Sequence, residues 1–83
     1  MQSAETRLVR MPEVFNFTGE KKSAFYAKAA AGLMPKPIKI GSKITAIPEY
    51  ELRAVNAARI RGASESELRA LVADLHARRA LIA

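Results

Sequence analysis

Between Met11 and Ile47 the sequence changes its backbone habit twice, and the order of those changes leaves few folds open. Met11 to Thr18 has Pro12 in an opening turn, where a missing N–H is harmless, and Glu13 where a helix N-terminus favours an anion. Thr18-Gly19 ends it, which predicts a helix of barely two turns. Gly19 and Glu20 make a turn, and Lys21 to Ala31 follows as a second helix, rich in Ala and stopped by Gly32. Pro35-Lys36-Pro37 then forces an extended path, after which Ile38-Lys39-Ile40 and Ile44-Thr45-Ala46-Ile47 alternate about a turn. A three-residue loop, Gly41-Ser42-Lys43, sets Ile40 opposite Ile44 and Ile38 opposite Ala46, with their apolar side turned inward. A two-residue turn would mix the faces. Two helices joined by a short Gly-containing turn and followed by a hairpin make a winged helix-turn-helix.

Helical phase divides the second helix. Phe25 and Ala29 fall on one side, and Lys22, Ser23, Tyr26 and Ala30 fall towards the other. The outer side is the candidate for a DNA major groove. Ser23 suits a phosphate or base edge, Tyr26 a phosphate, and Lys22 guanine O6/N7 or plain counter-charge, with Lys21 and Lys28 as flanking phosphate contacts. The hairpin offers Ser42 and Lys43 at its tip, Lys39 on its outer side and Lys36 just before it. Blander readings remain open at this stage: solvated lysines, Tyr26 packed on the hairpin, and a hairpin that only caps the core. Val14 and Phe17, with Phe15 as a flank, are expected in that core.

Pro48, Glu49 and Glu51 open a third helix that ends at Gly62, with Leu52, Val55 and Arg59 on one stripe and a role in buttressing the wing. Ser64-Glu65-Ser66-Glu67 is a capping box, so a fourth helix starts at about Glu65. Leu68, Leu71, Val72, Leu75 and Ile82 form its apolar stripe, and Glu65/Arg69 and Asp74/Arg78 are i,i+4 pairs. That stripe either folds back on the small core or meets a second copy. Because the winged unit is nearly complete without it, the reading leans to self-association through Leu68, Leu71, Val72 and Leu75. The expected architecture is mostly α with a small β-hairpin: a flexible arm over residues 1–6, a winged helix-turn-helix over 7–62 and an amphipathic helix over 63–83.

Composition narrows the function. An 83-residue chain builds one domain with a small core. It has no Cys, no apolar leader segment and no run near the roughly 20 apolar residues that span a bilayer, which fits a cytoplasmic, nucleoid-associated protein rather than a secreted or membrane one. The net charge of +6 is uneven. In residues 1–45 eight cations face three acids, leaving +5 there and +1 in the remainder. With one His, one Asp and no phosphate-binding Gly loop, the sequence offers no catalytic site, no metal site and no cofactor site; His76 reads as a surface or interface residue.

Arg7-Leu8-Val9-Arg10 leading into Met11-Pro12-Glu13-Val14, then Thr18-Gly19, Ser23 to Tyr26 and the run Pro35-Lys36-Pro37-Ile38-Lys39-Ile40-Gly41 resemble, without gaps from about Arg7 to Leu52, the AlpA family of small phage-type regulators and excisionases. The chain departs from the family pattern at Lys21, where a Ser-like cap is usual, at Ala27, where an Arg is, at Lys28, commonly apolar, and near Ile47, where a Trp is. The resemblance implies a MerR-like winged helix-turn-helix that binds double-stranded DNA and activates genes of a phage or island or directs its excision. It also implies action as a homo-oligomer, in solution or on DNA, and for excision an integrase as partner. The competing class is a protein-interaction module working through the C-terminal helix. Salt separates the two, since phosphate neutralisation makes DNA affinity fall steeply with added salt.

Overall fold

The computed structural model describes residues 6–82. Of the arm expected over residues 1–6, only Thr6 falls within them. The elements run β1 (Leu8–Arg10), α1 (Met11–Thr18), α2 (Lys22–Ala30), β2 (Ile38–Lys39), β3 (Thr45–Pro48), α3 (Glu49–Ile60) and α4 (Glu65–Arg78), closed by a 3-10 turn over Arg79–Leu81. Local chemistry sets the helix ends. Gly19 sits at φ 74° with its N–H donating to Phe15 O at 2.9 Å, which stops α1. Gly32, at φ 79°, lets Leu33 N donate to Lys28 O at 2.8 Å and closes α2. Both halves of the capping box are made: Glu67 N donates to Ser64 Oγ at 3.2 Å, and Ser64 N donates to Glu67 Oε1 at 2.8 Å.

The hairpin has the expected register, with Ile38 opposite Ala46 and Ile40 N donating to Ile44 O at 2.9 Å, but it is one part of a three-stranded antiparallel sheet. The order is β1-β3-β2, with Val9 opposite Ile47 and Arg10 opposite Ala46. The third strand corrects the expected direction of the hairpin. Side chains alternate across a sheet, so Val9 and Ile47 share one face, and that face enters the hydrophobic core. The face bearing Ile38, Ile40 and Ile44 is the other one, and Ile40 and Ile44 remain 46% and 38% exposed. The inward turn expected of this face therefore holds at its base, where Ala46 is fully buried and Ile38 half-buried, and fails at Ile40 and Ile44: once β1 brings Val9 beside Ile47, the helices pack on their side.

Val14, Phe25, Met34, Ile47, Leu52 and Val55 are fully buried or nearly so, and α3 joins the layers by packing on α1, β3 and α4. The stripe of α4 is covered within the chain. Val72 and Leu75 are 2% and 1% exposed in the same core, with half-buried Leu68 and Leu71 packed against it. A contact between protomers through Val72 and Leu75 would have to open this core, so for those two residues the intramolecular alternative replaces self-association. Arg69 adds a polar tie, its Nε donating to Ala31 O at the end of α2 at 3.1 Å, while its guanidinium pairs with Glu65 at 3.6 Å. Arg78 lies over the Tyr50 ring, 5.8 Å from its centroid, and no Asp74–Arg78 ion pair forms among the described residues.

Candidate nucleic-acid interface

Phe25 is fully buried and Ala29 is 5% exposed, and these two fix the roll of α2 on the core. Lys21, Lys22, Ser23, Ala27 and Ala30 are consequently exposed, and Tyr26 is 39% exposed at the edge. Tyr26 is not loose. Its ring meets Phe25 edge-on at 5.8 Å and Phe15 at 6.4 Å, so an aromatic cluster continuous with the core sets its direction. The outer face thus consists of small residues in the middle with cations and one anchored phenol around them.

Ion pairing sorts the cations into two groups. Arg7 and Arg53 pair with Glu49 at 3.3 and 3.1 Å, Arg59 with Glu20 at 3.3 Å, and Arg79 with Glu51 at 2.6 Å. By contrast, Arg10, Lys21, Lys22, Lys36, Lys39 and Lys43 make no ion pair among the described residues. For the five lysines the sequence contributes a reason: residues 21–48 contain no acid, so a partner has to come from outside the stretch, as Glu20 does for Lys28. Lys28 departs from its expected place as a flanking phosphate contact. At about 100° per residue it stands roughly 160° from Tyr26 around the helix, and there it pairs with Glu20, whose side chain is 8% exposed and also holds Arg59. Glu20, in the turn between α1 and α2, therefore ties Lys28 of α2 to Arg59 of α3. Arg10, not singled out from the sequence, is exposed at the N-cap of α1; its signal was only its membership of the basic half.

On the wing, Lys39, Ser42 and Lys43 are all exposed. Lys36 has an exposed side chain and a backbone held on both sides: its N–H donates to His76 Nε2 at 3.1 Å, and its carbonyl accepts from Arg79 at 2.8 Å. Arg79 is itself fixed by two bonds, of 2.8 and 2.6 Å, to the fully buried carboxylate of Glu51. The approach to the wing is thus pinned by the end of α4. Neither Glu51 nor Arg79 stood out in the sequence, because their partnership spans 28 positions.

This clasp carries a pH dependence. Partial burial, then the charge of Arg79 and that of Lys36, hold the His76 pKa below its ordinary 6.5, with Glu51 opposing. The folded chain keeps His76 neutral to lower pH than the unfolded chain does. The stability it contributes is therefore full above 6.5 and is lost as pH falls below that value towards the folded pKa. The melting temperature of the protein is expected to drop on acidification from about pH 7 to about pH 5.5. In His76→Gln, whose amide oxygen also accepts from Lys36, that part of the drop disappears; equal drops in both proteins would refute the assignment to His76.

No described helix is long and apolar enough to cross a membrane. No curated protein and no solved structure gives a significant match to the chain. One family does match, over residues 7–60, and it is described as the prophage CP4-57 regulatory protein (AlpA) family. Its span takes in β1, both helices of the helix-turn-helix, the wing and α3. With a fold of four helices on a small antiparallel sheet and with most of its length matched, the chain belongs to the AlpA family of phage-type regulatory DNA-binding proteins.

Proposed function

We propose that the protein is a sequence-specific DNA-binding regulator of a mobile element, acting at promoters, as an excisionase, or as both. Helix α2 enters the major groove with Lys22, Ser23 and Tyr26 towards the bases and phosphates and Lys21 beside them. Lys39, Ser42 and Lys43 of the wing, with Lys36 at its base, follow the adjacent backbone and minor groove. The observation that carries this reading is the distribution of charge: the open faces of α2 and the wing hold unpaired cations in a stretch without a single acid, while elsewhere among the described residues Arg7, Arg53, Arg59, Arg69 and Arg79 are paired with carboxylates and Arg10, Arg61 and Arg78 are not. Such a surface attracts a polyanion and releases its counterions on binding. An excisionase role adds an integrase as partner on the same DNA, and neighbouring sites would favour several copies bound together.

Lys22→Ala and Tyr26→Phe should each weaken specific binding without lowering thermal stability, since Lys22 projects outward and Phe keeps the ring contacts with Phe15 and Phe25 while losing the hydroxyl. A lost bidentate base contact costs about 1–3 kcal/mol, whereas a lost phosphate contact shows chiefly as a smaller salt slope. Titrations of a duplex selected by the wild-type chain from a random-sequence pool make the comparison. Wild-type affinity in both variants would mean that α2 does not read DNA. Footprints at the element's ends and upstream of its genes then distinguish excision from promoter control.

A further inference from the structure

The isoleucine pair at the wing tip is left without a role by the charges around it. Ile40 and Ile44 face each other across the end of the hairpin and are 46% and 38% exposed. Ile44 rests against Gly41: a Cβ at that position would meet Ile44 Cβ at 3.5 Å, an ordinary contact distance. Ile40 N and Gly41 N both donate to Ile44 O, at 2.9 and 3.2 Å, which holds the two side chains in register. Lys39 lies on the opposite face by the alternation of the strand, and Ser42 and Lys43 cap the loop, all exposed. The tip is therefore apolar on one face and positively charged on the other and at its end.

We propose that this tip is an apolar wedge for the DNA minor groove, in which Ile40 and Ile44 press on a base step and its sugars while Lys39 and Lys43 hold the phosphates alongside. Charge selects this occupant. A protein partner for an apolar pair has no need of a surround without acids, whereas a duplex supplies apolar sugar and base edges between two rows of phosphates. Apolar side chains used in this way partly unstack a step and kink the duplex by roughly 20–90°. The inference rests on the wing-to-DNA reading above and adds to it a contact that salt does not weaken and a bend that charge alone does not produce.

Ile40→Thr/Ile44→Thr tests it, because Thr keeps the β-branched shape that suits a strand while adding a hydroxyl at exposed positions. On an end-labelled duplex selected by the wild-type chain, the double variant is expected to bind about tenfold or more weakly, the equivalent of one buried aliphatic side chain. Its salt slope stays that of the wild type, and the bend, read by energy transfer between the duplex ends, is lost. Lys39→Ala/Lys43→Ala should do the reverse and lower the salt slope by about one to two units. Ile40→Thr alone, away from the Gly41 contact, gives the same readouts if the double variant fails to melt cooperatively. Wild-type affinity and bend in the threonine variants overturn the wedge while leaving DNA binding intact. Unchanged single-site affinity with lost cooperativity between neighbouring sites also overturns it, since the pair would then touch a second copy. An unchanged salt slope in the lysine variant overturns the wing reading and the wedge with it.

Discussion

Leu75→Glu is expected to leave no cooperatively folded protein. Leu75 is 1% exposed and belongs to the core shared with Leu52 and Val55 of α3. Losing its burial alone removes about 1.5–3 kcal/mol. The cation one turn on, Arg79, is already bound to Glu51, and a buried charge without its own partner costs several kcal/mol more or forces its own protonation. Domains have about 5–15 kcal/mol in all, and one this small sits towards the lower end. Circular dichroism through a thermal ramp should show the sigmoidal transition abolished. Leu71→Glu, at a half-buried position, should be milder and retain a melt. If Leu75→Glu instead melted normally and lost only cooperative binding to neighbouring DNA sites, the stripe of α4 would be a contact between protomers after all.

Arg79→Met should be the next most damaging change, and its rescue is as informative as the loss. Glu51 has no solvent exposure, and in the folded chain it meets the Arg79 guanidinium through two bonds. Removing one partner of such a pair typically costs about 3–5 kcal/mol, because the other charge is left uncompensated. The Arg79 side chain is 23% exposed, which places the expected loss at about 3 kcal/mol. Glu51→Met combined with Arg79→Met should recover most of it, since an apolar pair of similar volume is often neutral in place of a buried ion pair. Urea titrations of the two single variants and the double variant close the cycle. The double variant still lacks the bond from Arg79 to the Lys36 carbonyl, so its DNA affinity should stay below that of the wild type even where its stability returns. Strictly additive losses would show that the pair is not a unit.

What could be read from the residues, and what could not, divides by sequence distance. The left-handed stop at Gly19, the reciprocal cap between Ser64 and Glu67 and the pairing of Ile38 with Ala46 each depend on neighbours within about eight positions. The outer face of α2 followed from phase alone, since Phe25 and Ala29 are apolar and their opposites are not. β1 was not legible, because Leu8-Val9-Arg10 is too short to show a period. Without it the buried face of the hairpin could not be chosen: both faces carry isoleucine, and only Val9 beside Ile47 decides between them. Lys28 looked like its neighbours until it and Arg59 converged on Glu20, and Glu51 looked like an ordinary first-turn acid until Arg79 arrived from the far end of the chain. The tail's stripe was plain in the sequence, but its partner was not, because an apolar face does not record what covers it.

The pairing of β1 with β3 and the docking of α4 also govern when this protein comes into being on the ribosome. The surface proposed to read DNA is made early in synthesis, but Phe25 beneath it is buried in a core that needs Ile47, Leu52 and Val55 and is finished by Val72 and Leu75. Because contacts between distant parts of a chain form only after the loop between them is available to close, α2 takes its final seat only once Val72 and Leu75 have been made. A chain cut short before Leu75 is expected to lack the finished core altogether. Such a chain is expected to be open to proteases, so loss of the α4 stripe should lower the amount of folded protein.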